Sequence, residues 1–210
     1  RRGECFIPPF IKGGARGDLT AMDVLGRAKS PSIPLYERGR KRKDPMSNTV
    51  INIVLGGLGG QGVLTASDIL ADAAFRAGFD VKKSELHGMS QRGGSVSSDV
   101  RYGPRVLSPM VPAGEADFLL VLEPTQVDVN RPVLKATGVL IPPDVIPPDK
   151  LKNKKSFNVA MLGALSALLD IPESAWLDAI HARLAVKLHR LNDEAFALGR
   201  QAAGERFHLS

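Results

Sequence analysis

The chain has 210 residues, 43% of them hydrophobic and only 5% aromatic, with a formal net charge of +6 and one cysteine. Length and composition fit one substantial core built from Leu, Val, Ile and Ala. The single Cys5 excludes an internal disulfide framework and an iron–sulfur cluster ligated by this chain alone, and it suits a reducing cytoplasm. No apolar run approaches the roughly 20 residues that cross a bilayer, and no basic-then-apolar signal pattern opens the sequence.

The charge is unevenly placed. Residues 1–45 hold 11 Lys/Arg and 5 Asp/Glu, leaving 17 of each sign for residues 46–210. The neutral remainder argues against nucleic acid as a partner. Residues 1–45 are rich in Pro, Gly and charge without a sustained period, and read as a mostly disordered basic extension. Within them "DLTAMDVLGRA" could hold one helical turn. "RGRKRK" (Arg38–Lys43) reads either as a solvated charge run or as a contact for an anionic partner. Met46 opens the regular part of the chain, so 46–210 is expected to be a single α/β domain with 1–45 an upstream addition.

From Val50 the elements follow in order. "VINIVL" is a short continuous apolar run, as in a strand buried on both faces. After "GGLGGQG", "VLTASDILADAAFRAG" carries apolar residues at helical spacing and closes on Gly78. "FDVKKSE" predicts a second strand, "SVSSDVRY" a third strand or hairpin arm, and "ADFLLVLEP" a buried strand. "QVDVNRPVLKATG" reads as a helix with a proline fault and "GVLIPP" as a further strand. "IPPDVIPPDKLKNKK" reads as a surface excursion. Three helices follow: "NVAMLGALSALLD", "PESAWLDAIHARL" with Pro172 near its first turn, and "LNDEAFALGRQAAGERF" with Asn192 as the expected cap. Alternating strands and helices predict an α/β fold, with a mainly parallel Rossmann-like sheet, a glycine-rich first loop and C-terminal helices.

Two stretches carry the chemistry. "GLGGQG" (Gly57, Gly59, Gly60, Gln61, Gly62) matches G-x-G-x-x-G between a strand and a helix. There glycines permit a tight turn and let an anion reach the free N–H groups of the helix N-terminus. Glu85 follows Gly62 by 23 residues, where a ribose-binding acid would stand in a dinucleotide site. The alternative is that the glycines serve packing alone. The second stretch is "ELHGMSQRGGSVSSDVRYG" (Glu85–Gly103). His87, Ser90, Gln91, Arg92, Gly93 and Gly94 follow the second strand, where a parallel sheet presents its binding edge. Arg92 beside Gly93 and Gly94 offers a planar guanidinium next to exposed backbone, which suits an anion. His87 reads as a possible base or as a structural hydrogen-bonding residue. None of Ser90, Ser95, Ser97 or Ser98 has a nucleophile-elbow context. Asp117 and Glu123 lack metal-ligand spacing.

"GGLGGQGVLTASDILADAAFRAG", "ELHGMSQRGGSVSSDVRYG", "SPMVPAGEADFLLVLEP" and "TGVLIPP" together resemble the gamma-type subunits of 2-oxoacid:ferredoxin oxidoreductases, over about residues 49–207. "HGMSQRGG" points to the indolepyruvate or arylpyruvate branch. The resemblance implies a small subunit of a complex that oxidatively decarboxylates a 2-oxoacid to acyl-CoA. Thiamine diphosphate, Mg²⁺ and iron–sulfur clusters would sit in a larger partner subunit, with coenzyme A as co-substrate and ferredoxin as acceptor. It also implies that Gly57, Gly59, Gly60, Gln61 and Gly62 form a ligand- or cofactor-binding loop. His87, Ser90, Gln91, Arg92, Gly93 and Gly94 would face the partner's active site and an anionic ligand. No metal or membrane is expected for this chain, and no catalytic residue beyond His87. The competing readings are a stand-alone NAD(P)- or flavin-binding reductase, using Gly57–Gly62 and Glu85, and a nucleotide-binding regulator.

The composition of residues 1–45 makes a first prediction. Deleting them should leave the melting temperature nearly unchanged. A destabilisation above about 2 kcal/mol in denaturant unfolding would show that they pack on the rest of the chain.

Overall fold

A computed structural model describes residues 49–87 and 93–208. The extension read at 1–45 and the candidate site residues Ser90, Gln91 and Arg92 lie outside the described residues. Strand β1 (Ile51–Leu58) leads into α1 (Val63–Arg76), followed by β2 (Asp80–His87), β3 (Ser95–Gly103) and β4 (Ala116–Val121). A short helical passage containing α2 (Val127–Asn130) precedes β5 (Leu134–Ile141). The chain ends with α3 (Phe157–Ser166), α4 (Glu173–Arg183) and α5 (His189–Phe207). Among these, no helix is long and apolar enough to cross a membrane.

The five strands form one open sheet in the order β2-β3-β1-β4-β5. β1 pairs in parallel with β4, and β4 with β5, while β3 is antiparallel to both β1 and β2. Four of the five strands therefore share one direction. The expected α/β class and C-terminal helices are present, but the sheet is mixed. α1 carries the chain over from β1 to β2 as in a parallel crossover, but β2 is placed one strand further out. β3 then returns by a hairpin to fill the gap.

The sheet's two faces are covered differently. Ile53, Leu55, Val96, Val100 and Tyr102 face α1, α3, α4 and α5 in the main core. The opposite face buries Val54, Leu119 and Val121 under Val111, Val127 and Val133, from the connections after β3 and β4. The connection after β3 is strapped down by hydrogen bonds. Arg101 donates from Nη1 to the carbonyls of Ser108 (3.0 Å) and Met110 (3.1 Å), and the Val111 amide donates to Asp99 (2.9 Å). Burial pushes the Asp99 carboxyl above its ordinary pKa, offset by that amide and by Arg101.

Two expected elements differ. Residues 126–138 are helical only as far as Val133. Pro132 ends the helical passage, and the chain enters β5 at Leu134, paired with Ala116. The apolar positions Leu134, Val139 and Ile141 fit parallel pairing with β4 better than another helical turn. Asn192 is not the cap of α5, which begins at His189; it is buried within the first turn and donates to the Leu188 carbonyl (2.8 Å).

α3 is buried nearly all round, as a helix enclosed by the sheet, α1 and α5 must be. It meets α5 at small residues. A Cβ on Gly199 would land on the Ala160 carbonyl, and one on Gly163 on the Phe196 carbonyl, both far inside van der Waals contact. Gly199→Ala is therefore expected to cost at least about 2 kcal/mol in urea unfolding. Gly204→Ala, further along α5 with nothing within 4 Å of the new Cβ, should be neutral or stabilising by up to about 1 kcal/mol. Equal effects of the two would contradict the close helix crossing.

Candidate functional site

In an open α/β sheet the binding crevice lies beyond the carboxyl ends of the strands, where the connections diverge to opposite faces. Here that point is between β1, which leaves through α1, and β4, which leaves through residues 124–133 on the other face. Side chains close it. Gln61 bends back so that its Oε1 accepts from the Leu58 amide (2.8 Å), and its Nε2 donates to Glu123 Oε2 (2.7 Å). The Leu122 amide donates to the Gly56 carbonyl (2.8 Å). Gly57 has a packing reason, since a Cβ would press on Val63 Cγ2 at 2.7 Å and on Gln61 Oε1 at 3.0 Å. Gln61 is thus a brace within the loop.

The ribose-acid reading of Glu85 does not survive the topology. β3 separates β2 from β1, so Glu85 stands two strands, or about 10 Å, from the glycine loop. It pairs with Lys83 instead. Burial would lower the Lys83 pKa, but Asp68 and Glu85 outweigh it and raise the value. The same insertion brings the two sequence motifs together. Leu58 pairs with Ser95, His87 pairs with Val96, and the Gly59 amide donates to the Gly94 carbonyl (2.9 Å). The backbones of His87, Gly93 and Gly94 therefore share one sheet edge with Gly57–Gly62. Ser95 donates to Gln126 Oε1 (2.7 Å) and Ser98 to the Ser84 carbonyl (3.1 Å), so both hydroxyls are engaged in structure.

The open side of the glycine loop faces the C-terminal helices. Gly62, in the left-handed region at φ 81°, starts α1 with no side-chain cap and no acid in the first turn. A Cβ there would meet Asn158 Nδ2 at 2.5 Å, and that nitrogen donates to the Gly62 carbonyl (3.3 Å). Asn158 belongs to the first turn of α3, which has no first-turn acid and continues from a 3-10 turn at Lys154–Ser156, where the Asn153 side chain accepts from the Lys155 amide (2.9 Å). Two helix N-termini thus meet, each with its positive end uncompensated by an acid of its own.

Between them lies a cavity of about 820 Å³. Gly60, Gln61, Gly62, Thr65, Asn158 and Asn192 line its polar side, with Lys154 and Lys155 exposed in its lining. Neither lysine has an ion pair among the described residues. Phe157, Val159, Leu151, Leu184, Leu188 and Leu191 supply an apolar wall. His189 Nε2 pins that wall by donating to the Leu184 carbonyl (2.9 Å). Its ring stacks on His181 at 4.1 Å, and His181 contacts Asp193 at 2.8 Å. Lys152 is already paired with Glu194 (2.7 Å), and that bond with the Arg190 contact holds the Glu194 carboxyl below its ordinary pKa. The geometry suits a ligand with an anionic group and an apolar body.

Sequence reading found the glycine loop but not Lys154, Lys155, Asn158 or Asn192. The available signal was "NKKSFN", two lysines and no acid at the start of an apolar helix, where an acid is the stabilising choice. Among the described residues no group of three or more His, Cys, Asp or Glu side chains could hold a metal ion.

Comparison with known proteins gives a consistent result. The family described as pyruvate ferredoxin/flavodoxin oxidoreductase matches residues 52–148. The chain is 35% identical to indolepyruvate oxidoreductase subunit IorB of Thermococcus kodakarensis, covering 75% of this chain and 98% of that protein. It is 32% identical to the pyruvate/ketoisovalerate oxidoreductases common subunit gamma of the same organism, over 58% of this chain and 69% of that one. Among solved structures, the gamma subunit of a keto/oxoacid ferredoxin oxidoreductase from Geobacter sulfurreducens superposes with a TM-score of 0.62. It is 26% identical, over 74% of this chain and 97% of that one.

The cavity can be tested on the isolated chain with inorganic pyrophosphate as probe. Replacing both Lys154 and Lys155 by Ala should weaken binding by about tenfold at low salt in isothermal titration, with the difference shrinking as salt rises. Equal affinities for parent and variant would show that the two lysines do not form an anion site.

Proposed function

We propose that this chain, which belongs to the small-subunit family of 2-oxoacid:ferredoxin oxidoreductases, presents its glycine-loop edge to a larger subunit and completes the ligand site there. The observation that carries this reading is the convergence of three features on one edge: the Gly57–Gly62 loop, the backbones of His87 and Gly94, the latter joined to the loop by the Gly59–Gly94 hydrogen bond, and the Lys154–Lys155 cavity.

The larger subunit holds thiamine diphosphate, Mg²⁺ and the iron–sulfur clusters. This chain, with its single cysteine, cannot by itself ligate an iron–sulfur cluster. Its own work is binding and orientation. The amides opening α1, with Lys154 and Lys155, attract an anionic group. The apolar wall of Phe157, Leu184 and Leu188 excludes water around the rest of the ligand. Coenzyme A, whose phosphates and apolar tether match such a lining, and an arylpyruvate-type 2-oxoacid are the ligands assigned to this edge. The similarity to IorB favours indolepyruvate as the 2-oxoacid, and ferredoxin receives the electrons through the complex. The dinucleotide-reductase alternative is disfavoured by the Gln61 brace across the crevice and by the remote position of Glu85.

The test uses the chain purified together with its larger subunit. Arg92→Ala should lower kcat/KM for coenzyme A or the 2-oxoacid by roughly 10- to 150-fold, as expected for a lost charge-assisted contact. Arg92→Lys should recover only part, because a point charge does not replace the planar fork. The pure single chain should show no 2-oxoacid oxidation. Turnover by that chain alone, or parental kcat/KM in Arg92→Ala, would overturn the reading.

A further inference from the structure

We infer that Glu123 is a positioning residue for the ligand site: it holds Gln61, and through Gln61 it sets the glycine loop. This rests on the proposed role of that loop in binding and names the residue that fixes its geometry. Glu123 lies two residues past the end of β4 and accepts from the Gln61 carboxamide of the loop (2.7 Å). The other end of that carboxamide accepts from the Leu58 amide (2.8 Å), and the Gln61 amide returns a bond to the Leu58 carbonyl (3.1 Å). One side chain therefore spans from β4 to the end of β1, and the two residues that follow it open α1.

The need for such a brace is visible in the backbone. Gly60 and Gly62 both have positive φ, at 96° and 81°, and a Cβ on Gly60 would meet nothing within 4 Å. A loop with two such glycines has many accessible conformations, and no packing holds its apex. The Glu123–Gln61 bond, together with the Gly59–Gly94 and Asn158–Gly62 bonds, holds the conformation that lies beside Thr65 and Asn158 at the cavity. A carboxylate accepting from a carboxamide forms a stronger bond than a neutral pair would. Its direction is also forced, because Glu123 can only accept. Gln61 must therefore present its nitrogen to Glu123 and its oxygen to Leu58.

That forced direction makes a reciprocal test possible. In the complex with the larger subunit, Gln61→Glu sets two carboxylates face to face and should raise KM for coenzyme A by about tenfold or more. Its kcat should stay within about threefold of the parent. Combining Gln61→Glu with Glu123→Gln exchanges donor and acceptor and keeps both bonds, so KM should return to within about threefold of the parent. Loop geometry is read independently from the amide resonances of Gly59, Gly60 and Gly62 in the isolated chain. They should shift in the single variant and return in the double. If those resonances return while KM stays high, Gln61 touches the ligand itself and the positioning role is overturned. A parental KM in Gln61→Glu overturns it as well. Should the single variant fail to fold, the double, whose bonding is intact, decides alone: parental KM supports the inference and raised KM rejects it. Lys154→Ala with Lys155→Ala in the same complex separates the two levels. A raised KM there with no effect of the Gln61 change removes only this inference, whereas no effect of either removes the proposed function too.

Discussion

The antiparallel ladder between β1 and β3 continues past its last pair, Leu58 with Ser95, to a hydrogen bond from the Gly59 amide to the Gly94 carbonyl. The ligand-facing edge is organised around this ladder. In a wholly parallel sheet β2 would lie against β1, and the segment after β2 would start a crossover to a distant strand. With β3 returned between them, the end of β2 at His87 and the start of β3 at Gly94 and Ser95 stand beside the glycine loop. Two stretches separated by some 25 residues of sequence form one surface, and the dinucleotide geometry that the glycine motif suggests is lost in the same step.

A second consequence concerns which way the glycine loop opens. The crevice between β1 and β4 is where an α/β sheet offers a site by topology, yet Gln61 and Glu123 occupy it. The loop's remaining free surface faces α3 and the lysine-bearing residues before it. Gly62 can approach Asn158 only because it carries no Cβ, which would meet Asn158 Nδ2 at 2.5 Å. The close crossing of α3 and α5 at Gly163 and Gly199 then brings the first turn of α5, with Asn192, to the far wall of the cavity. Backbone approach at three glycines therefore shapes a site that the glycine motif only begins.

Local features were legible in the sequence. The apolar run "VINIVL", the periodic helix closing on Gly78 and the Pro172 start of α4 all depend on near neighbours, and each element stands where its pattern places it. Pairing was not legible. The alternation in "SVSSDVRY" specifies a strand with two unlike faces but not which strand lies beside it; four of the five strands run one way, as a mainly parallel sheet requires, and β3 enters between β1 and β2 as a hairpin arm. Residues 126–138 read as a helix with a proline fault; the helical passage runs only to Val133, just past that proline, and Leu134 onward pairs with β4. Asn192 was misread because a cap and a buried first-turn asparagine look alike in sequence. The cavity was out of reach for a plainer reason: Gly62 and Asn158 touch across 96 residues of chain, and neither local pattern hints at the other.

The central claim is that the Gly57–Gly62 loop, the His87–Gly94 stretch of the chain and the Lys154–Asn158 segment form the face turned toward a larger subunit. Amide hydrogen exchange of this chain, free and in complex with the subunit that co-purifies with it, tests that claim directly. The account predicts that added protection concentrates in these three segments, leaving the outer edge of β5 and the last turns of α5 exchanging as in the free chain. Protection confined to β5 or the end of α5, with the three segments unchanged, would contradict it.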